Sequence, residues 1–109
     1  MAAAGTIPVQ VAAEAAARVN ELDLQRELEA MLEHTKHTVP ELQSIEVTLY
    51  TDAYELGEPS FHITAIKARP SSADDPTWDN WSHWFVRAFP PEVCRWFGFD
   101  VDYRNDHGR

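Results

Sequence analysis

The sequence predicts a single α+β domain built on one small sheet, and two observations carry this prediction. Residues 9–36 are rich in Ala, Glu, Leu and Arg and contain neither Gly nor Pro, a composition that favours helix. Beyond residue 42, apolar and polar residues alternate in three short segments with the period of half-buried strands. A chain of 109 residues has room for one modest core. We expect one domain over residues 1–109, with flexible ends at 1–8 and 105–109.

The N-terminal helical segment has two apolar faces, which lie roughly opposite each other at about 100° per residue. The first comprises Val11, Ala15, Val19 and Leu22, and the second Leu24, Leu28, Met31 and Leu32. Either the helix breaks near Asn20, with Asn20 or Asp23 capping a second helix, or one continuous helix carries both faces. In the continuous case one face packs on the domain and the other meets another chain.

Two alternating segments predict an antiparallel hairpin. Residues 43–52 place one set of apolar side chains on a common face, namely Ile45, Val47 and Leu49. Residues 60–69 do the same with Phe61, Ile63 and Ala65, and turn His62, Thr64 and Ile66 to the other face. The connection between the two strands contains Gly57 and Pro59, which interrupt regular structure.

A Trp-rich helix and a third strand follow the hairpin. Asp75 is suited to cap this helix and Pro76 to its first position, where a missing N–H is harmless. The helix is expected over residues 77–89, where Pro90-Pro91 stop it, and a helical turn follows over 92–97. Residues 99–104 alternate as a third strand. We expect this strand to lie parallel to the second across a right-handed crossover, with the helices on one sheet face and a largely polar face opposite.

Several segments of the chain resemble a set of small bacterial α+β proteins of unknown activity. They are residues 34–42, the strand that runs into Asp52-Ala-Tyr-Glu55, the motif Asp75-Pro-Thr-Trp78 and the motif Phe89-Pro-Pro-Glu-Val-Cys94. In similar chains the hairpin connection often has Asp-Pro ahead of its acidic residue, where this sequence has Asp52-Ala53. The resemblance covers residues 33–103 and implies the same fold and no known activity.

The Trp-rich helix carries an aromatic stripe, in which helical spacing places five side chains on one face: Trp78, Trp81, Trp84, Phe85 and Phe89. Each aromatic side chain can bury on the order of 150–250 Å². We therefore expect the stripe to be the core of the domain, packed on the apolar face of the hairpin. The alternative is a stacking platform for a ring-shaped ligand or a hot-spot patch for a protein. An intermediate outcome leaves one Trp at an edge.

The candidate ligand-binding site lies on the open sheet face, where the predicted strands gather Glu46, His62, Asp100 and Asp102. Carboxylates with one histidine can hold a divalent cation or perform acid–base chemistry. The simpler interpretation is that alternating polar residues are what a solvated sheet face contains.

Two other groups of residues could take part in metal binding or catalysis, but the sequence does not support either role. His34 and His37 are close enough on a helix to share a metal, but two ligands do not make a site, and histidines in a last helical turn interact favourably with the helix dipole. Cys94 with His83 could suggest a nucleophile and base, but the surrounding sequence lacks a strand–turn–helix elbow. The sequence also contains no phosphate-binding Gly loop, dinucleotide fingerprint or zinc-finger spacing. We predict no catalytic residue, no metal and no cofactor.

Charge and cysteine content restrict the class of partner. The chain carries 9 Lys and Arg against 18 Asp and Glu, a formal net charge of −9 that is spread along its length. No segment concentrates the basic residues that neutralise phosphates, so we expect neither nucleic acid nor an anionic membrane as partner. A bilayer span needs ~20 apolar residues, and no segment reaches this. Cys94 is the only cysteine, which favours a reducing compartment and a cytoplasmic location.

Two functional hypotheses follow from these patterns. The first is a non-enzymatic protein-interaction or accessory module that self-associates, with a homodimer formed through the N-terminal helices. One form of it is an accessory or antitoxin-like role against a basic partner. The second is a small-molecule or metal-binding domain, with or without enzymatic activity, that uses the open sheet face. A pocket joining His62 to Asp100 or Asp102 would favour the second hypothesis, and a flat sheet beside an apolar helical patch would favour the first.

Overall fold

A computed structural model describes residues 7–50, 60–67 and 76–103 of the chain. These ranges fold into the α+β architecture that the sequence predicts, with one four-stranded sheet. The elements are β1 (Val9–Val11), α1 (Ala13–Leu22), α2 (Gln25–Thr38), β2 (Leu42–Tyr50), β3 (Ser60–Lys67), α3 (Thr77–Ala88), α4 (Pro91–Cys94) and β4 (Phe97–Tyr103). The predicted cap Asp75, the hairpin connection and most of both predicted flexible ends lie outside the described residues.

The four strands lie side by side in the order β1-β2-β3-β4. Strands β2 and β3 form the predicted antiparallel hairpin, with Val47 opposite Ile63, and β4 pairs parallel to β3, as expected across a helical connection. Strand β1 was not predicted: the helix expected from Val9 is wrong over Val9–Val11, which pairs parallel to β2. A three-residue strand next to an Ala-rich helix is too short to show the strand period in sequence.

The N-terminal helical segment is two helices, which confirms the first of the two alternatives. Helix α1 ends at Leu22, and Asp23 adopts a left-handed conformation with φ 59° and ψ 45°. The backbone N–H of Asp23 donates to the carbonyls of Val19 and Asn20, so the turn satisfies the end of α1. The N-cap residue of α2 is Leu24, so the expectation that Asn20 or Asp23 caps this helix is wrong.

Both apolar faces of the N-terminal segment pack into one core. Ala15 and Val19 of α1 and Leu28 and Met31 of α2 are buried in the same cluster. The sheet contributes the side chains of its inner face to that cluster, namely Ile45, Val47, Phe61, Ile63 and Phe97. The premise for a homodimer through the N-terminal helices is therefore wrong, because the left-handed turn at Asp23 directs most of both faces into the protein's own core, although Val11 on β1 is 38% exposed.

Most of the aromatic stripe on α3 belongs to the core, but not all of it. Trp81 is 2% exposed, stacks on Phe99 with ring centroids 4.1 Å apart, and donates from Nε1 to Thr35 Oγ1 at 2.9 Å. Trp84 and Phe89 lie half-buried at the margin of the cluster. The prediction of a fully buried stripe is wrong for Trp78, which is 52% exposed. Its indole lies in the first turn of α3 beside β4, and β4 is the last strand of the sheet.

The start of α3 is joined to the end of β3 by a buried cation. Pro76 is the N-cap residue of α3 instead of its first helical residue, and its carbonyl accepts from the N–H of Asn80 at 2.8 Å. Lys67, the last residue of β3, is 1% exposed, and its Nζ lies 3.3 Å from Thr77 Oγ1. The same Nζ lies 5.9 Å from the ring centroid of Tyr103, so the N-terminus of α3 and the end of β4 are neighbours.

Candidate functional site

The four predicted ligand-binding residues lie on the sheet face turned away from the core, as expected. Glu46 pairs across β3 with Thr64, and Thr64 pairs with Asp100. His62 lies beside Gly98, and Asp102 lies beside Ile66. The face is not uniformly solvated, because Ile66 is buried.

Of the four predicted ligand-binding residues, His62 and Asp100 lie close together. His62 Nε2 lies 3.7 Å from Asp100 Oδ2, with both side chains well exposed. Gly98 leaves one side of the imidazole uncovered, since a Cβ at that position would meet His62 Nδ1 at 3.5 Å. An exposed pair of this kind contributes little to stability. It can share a proton or accept a polar group of a ligand.

Glu46 and Asp102 do not complete a site with this pair. Glu46 is separated from Asp100 by the whole of β3, a distance of two strand spacings of about 4.8 Å each. Within the described residues, no group of three His, Cys, Asp or Glu side chains is placed to hold a metal ion. Among the described residues, this face thus brings His62 close to Asp100 without the third ligand that a cation site needs.

The two histidines at the end of α2 have separate environments. His37 Nδ1 lies 2.9 Å from the carbonyl of Glu33. His34 instead stacks flat on Trp84 of α3, with ring centroids 3.7 Å apart. Burial lowers the pKa of His34, and the neighbouring charge of His37 lowers it further. Sequence reasoning missed this ring stack, because it could not place the end of α2 beside α3.

A cleft of about 400 Å³ lies between the end of α2 and the start of α3. Its apolar walls are Val39, Pro40, Pro76 and Trp84, and its polar groups include Thr38 and Asn80. The Thr38 hydroxyl already donates to the carbonyl of His34 at 2.7 Å. The cleft thus has the volume of a small-molecule site but few free polar groups to orient a ligand.

Cys94 is a structural thiol. Its Sγ lies 3.5 Å from the carbonyl of Phe89 and 3.8 Å from that of Phe85, so it donates into the end of α3. Burial raises the pKa of the Cys94 thiol, which reduces the thiolate that a nucleophile requires. The geometry therefore does not support a nucleophilic role for Cys94.

Three of the five large apolar side chains that are exposed among the described residues lie on α3 and β4, and the other two, Val11 and Tyr50, lie on β1 and β2. Trp78 and Val86 of α3 are 52% and 64% exposed, and Tyr103 of β4 is 37% exposed; these three residues define the α3–β4 face. Trp78 is fixed in place because its Nε1 donates to the carbonyl of Phe99 at 3.1 Å. The sequence analysis did not identify Val86 as exposed. Its spacing from Trp81 nevertheless places it on a different side of the helix from that buried residue.

Comparison with known proteins found no family model, no characterised protein and no solved structure that matches this chain. The resemblance to small bacterial proteins stays a prediction. No helix in the described ranges combines the length and the apolar character that crossing a bilayer requires.

Proposed function

We propose that this protein is a non-enzymatic protein-interaction module that self-associates, and that the α3–β4 face is its contact surface. The observation that carries the proposal is the half-exposed Trp78, held by its hydrogen bond to the Phe99 carbonyl. Tryptophan is enriched among residues that dominate binding energy. A side chain that is already fixed loses little conformational entropy on binding.

The remainder of the α3–β4 face supports the same interpretation. Val86 extends the apolar surface two turns along α3 from Trp78, and Tyr103 adds a second aromatic side chain near the start of the helix. Aromatic residues are enriched at the centre of protein interfaces. The proposal moves the expected homodimer contact from the N-terminal helices, whose apolar faces are buried, to this face.

A cytoplasmic location and a protein partner instead of nucleic acid belong to the same proposal. A net charge of −9 opposes binding to phosphates. The single cysteine, which is partly buried, permits no disulfide within the chain, as is common in reducing compartments.

Photo-cross-linking in the organism that makes the protein tests the proposal. Benzoylphenylalanine is introduced at Val86, and at Tyr50 as a matched control, since Tyr50 is 58% exposed and lies on the open sheet face. We expect a cross-linked dimer of the chain from position 86 and none from position 50. Absence of a dimer from position 86, or equal yields from both positions, would contradict the proposal.

Ligand binding on the open sheet face is a second candidate function, favoured by the His62–Asp100 pair at 3.7 Å. It ranks below the first because Glu46 and Asp102 do not join that pair. Titration with Zn²⁺ or Mn²⁺, followed by the backbone amide NMR signals of β3 and β4, tests it. Saturable shifts that disappear in His62→Ala would support this candidate, and unchanged signals would eliminate the metal-binding form of it.

A further inference from the structure

The cleft between the end of α2 and the start of α3 is a separate surface from the α3–β4 face. On the α3 side, Asn80 and Trp84 are among the residues that line the cleft. At about 100° per residue, these two positions lie on the side of the helix opposite to Trp78 and Val86. A ligand in the cleft and a protein at the α3–β4 face would therefore occupy different sides of α3.

The cleft is lined by apolar and uncharged side chains. Val39, Pro40 and Pro76 contribute aliphatic surface, and the stacked rings of His34 and Trp84 form another wall. No Lys, Arg, Asp or Glu is among the described residues that line it. Burial lowers the pKa of the His34 imidazole, so the neutral form of this ring predominates at neutral pH. A carboxylate or phosphate would lose its hydration here without gaining a cation, and an uncharged ligand avoids this cost.

Two side chains that line the cleft have polar groups without a hydrogen-bond partner among the described residues. They are the imidazole of His34 and the side-chain amide of Asn80. The Thr38 hydroxyl donates to the backbone carbonyl of His34 and leaves the ring free. A neutral imidazole has one N–H donor and one nitrogen acceptor, and an amide likewise both donates and accepts. The cleft thus has two groups of the same mixed character available to a ligand.

Helix geometry keeps these two groups near each other. Asn80 and Trp84 are four residues apart on α3, a spacing that separates their Cβ atoms by about 5–6 Å. His34 is in direct ring contact with Trp84, at a centroid distance of 3.7 Å. In a cleft of about 400 Å³, the imidazole and the amide are therefore both within reach of one small molecule.

We propose that this cleft binds a small uncharged aromatic amide, with its ring between the apolar walls and its amide group paired with His34 and Asn80. An amide carries a donor and an acceptor on neighbouring atoms, which complements the mixed character of both side chains. Apolar walls with a few polar groups that fix orientation are the usual composition of a small-molecule site. The inference goes beyond the proposed function and does not depend on it, because the proposed self-association uses the other side of α3.

Benzamide is the probe that tests this chemistry, and benzoate is its matched control, because it has the same shape and a negative charge. Each of the four tryptophans gives one indole N–H signal by NMR, and a Trp84→Phe variant assigns that of Trp84. We expect benzamide to shift the Trp84 signal saturably, with a Kd on the order of 1 mM for a ligand of this size. The signal of Trp96, which lies beside Arg18 and Arg95, should not move. Benzoate should shift the Trp84 signal with an affinity about tenfold lower, or lower still.

Two variants remove the polar groups and preserve the walls. His34→Phe keeps a ring against Trp84, and Asn80→Ala shortens an exposed side chain. Each should weaken benzamide binding about fivefold, the effect of one lost hydrogen bond. Gln10→Ala removes an exposed amide of β1 outside the cleft and should leave the affinity unchanged. Circular dichroism establishes that the variants fold.

The inference would be overturned by a Trp84 signal that does not shift at benzamide concentrations well above the expected Kd. Equal affinities for benzamide and benzoate, or unchanged binding in both His34→Phe and Asn80→Ala, would overturn it as well. None of these results bears on self-association, which cross-linking at Val86 tests separately.

Discussion

His34 of α2 lies flat against Trp84 of α3, with ring centroids 3.7 Å apart and ring planes 3° from parallel. One residue further along α2, the Thr35 hydroxyl accepts from the Trp81 indole at 2.9 Å and donates to the Met31 carbonyl at 2.7 Å. These two contacts join α2 to α3 and fix the position of the Trp-rich helix over the sheet. One of them contains an imidazole, whose pKa is lowered in the folded protein by burial.

The first prediction is that stability falls on mild acidification because of His34. Burial lowers its pKa in the folded protein below the ordinary value of 6.5, and His37 adds to this effect. Between the folded and the unfolded pKa of His34, the unfolded chain therefore binds more protons than the folded chain. The free energy of unfolding decreases as the pH falls through this range. The contribution of His34 is complete above the unfolded pKa and is lost as the pH falls through the folded one. Urea denaturation at pH values between 7.5 and 5 measures this change in the free energy of unfolding.

His34→Phe is the matched variant, because it keeps a ring against Trp84 and removes the titrating group. Its free energy of unfolding should decrease less than that of the wild type over the same pH range. In His37→Gln the dependence should be reduced but retained, because burial is the larger cause. Parallel pH profiles for wild type and His34→Phe would show that this stack is not the origin of the effect.

The second prediction is a graded response among the tryptophans of α3. Trp81→Ala should decrease the free energy of unfolding by about 3–5 kcal/mol, because it leaves a cavity in the core and removes a partner of Thr35. Trp84→Ala should have a smaller effect, since Trp84 is only half-buried. Trp78→Ala should lower stability by about 1 kcal/mol, the contribution of one hydrogen bond. Equal losses in Trp78→Ala and Trp81→Ala, measured by urea denaturation, would contradict this order.

The elements with a long periodic pattern were predictable from sequence, and the short or turn-dependent ones were not. Alternation from Ser44 onward in β2 and along β3 specified both the hairpin and the faces of its side chains, because the strand period is two residues. The register shift between Leu42 and Ser44 was not predictable from this period. The break between α1 and α2 remained one of two alternatives. The break occurs where Asp23 adopts a left-handed conformation. The residue type does not reveal this conformation, because aspartate also occurs inside helices and at N-caps.

The candidate site was likewise predictable from the sequence only in part. The strand period placed Glu46, His62 and Asp100 on one face, as the structure has them. The strand order, which follows from the hairpin and the expected pairing of β4 with β3, separates Glu46 from Asp100. The exposure of Trp78 also depends on that order, because α3 lies beside the edge strand β4. Helical spacing alone groups Trp78 with the buried Trp81.

The third prediction concerns the reactivity of Cys94. Its raised pKa and its contacts with the carbonyls at the end of α3 reduce both thiolate content and access. The folded protein should react with a disulfide reagent such as Ellman's reagent about tenfold more slowly than the chain unfolded in guanidinium, or slower still. Equal rates in the two states would show that the thiol is freely accessible.

The fourth prediction concerns the turn that separates α1 from α2. Asp23 adopts φ 59°, a conformation that glycine enters without strain and that β-branched residues strongly resist. Asp23→Gly should therefore increase the free energy of unfolding by about 0.5–1 kcal/mol, and Asp23→Val should decrease it by about 1–2 kcal/mol. Ala16→Gly, at an exposed position inside α1, is the control and should decrease it by about 1 kcal/mol. Glycine thus has opposite effects at the two positions only if the segment is broken at Asp23. A continuous helix would lose stability from glycine at both, and thermal or urea denaturation of the three variants distinguishes the two cases.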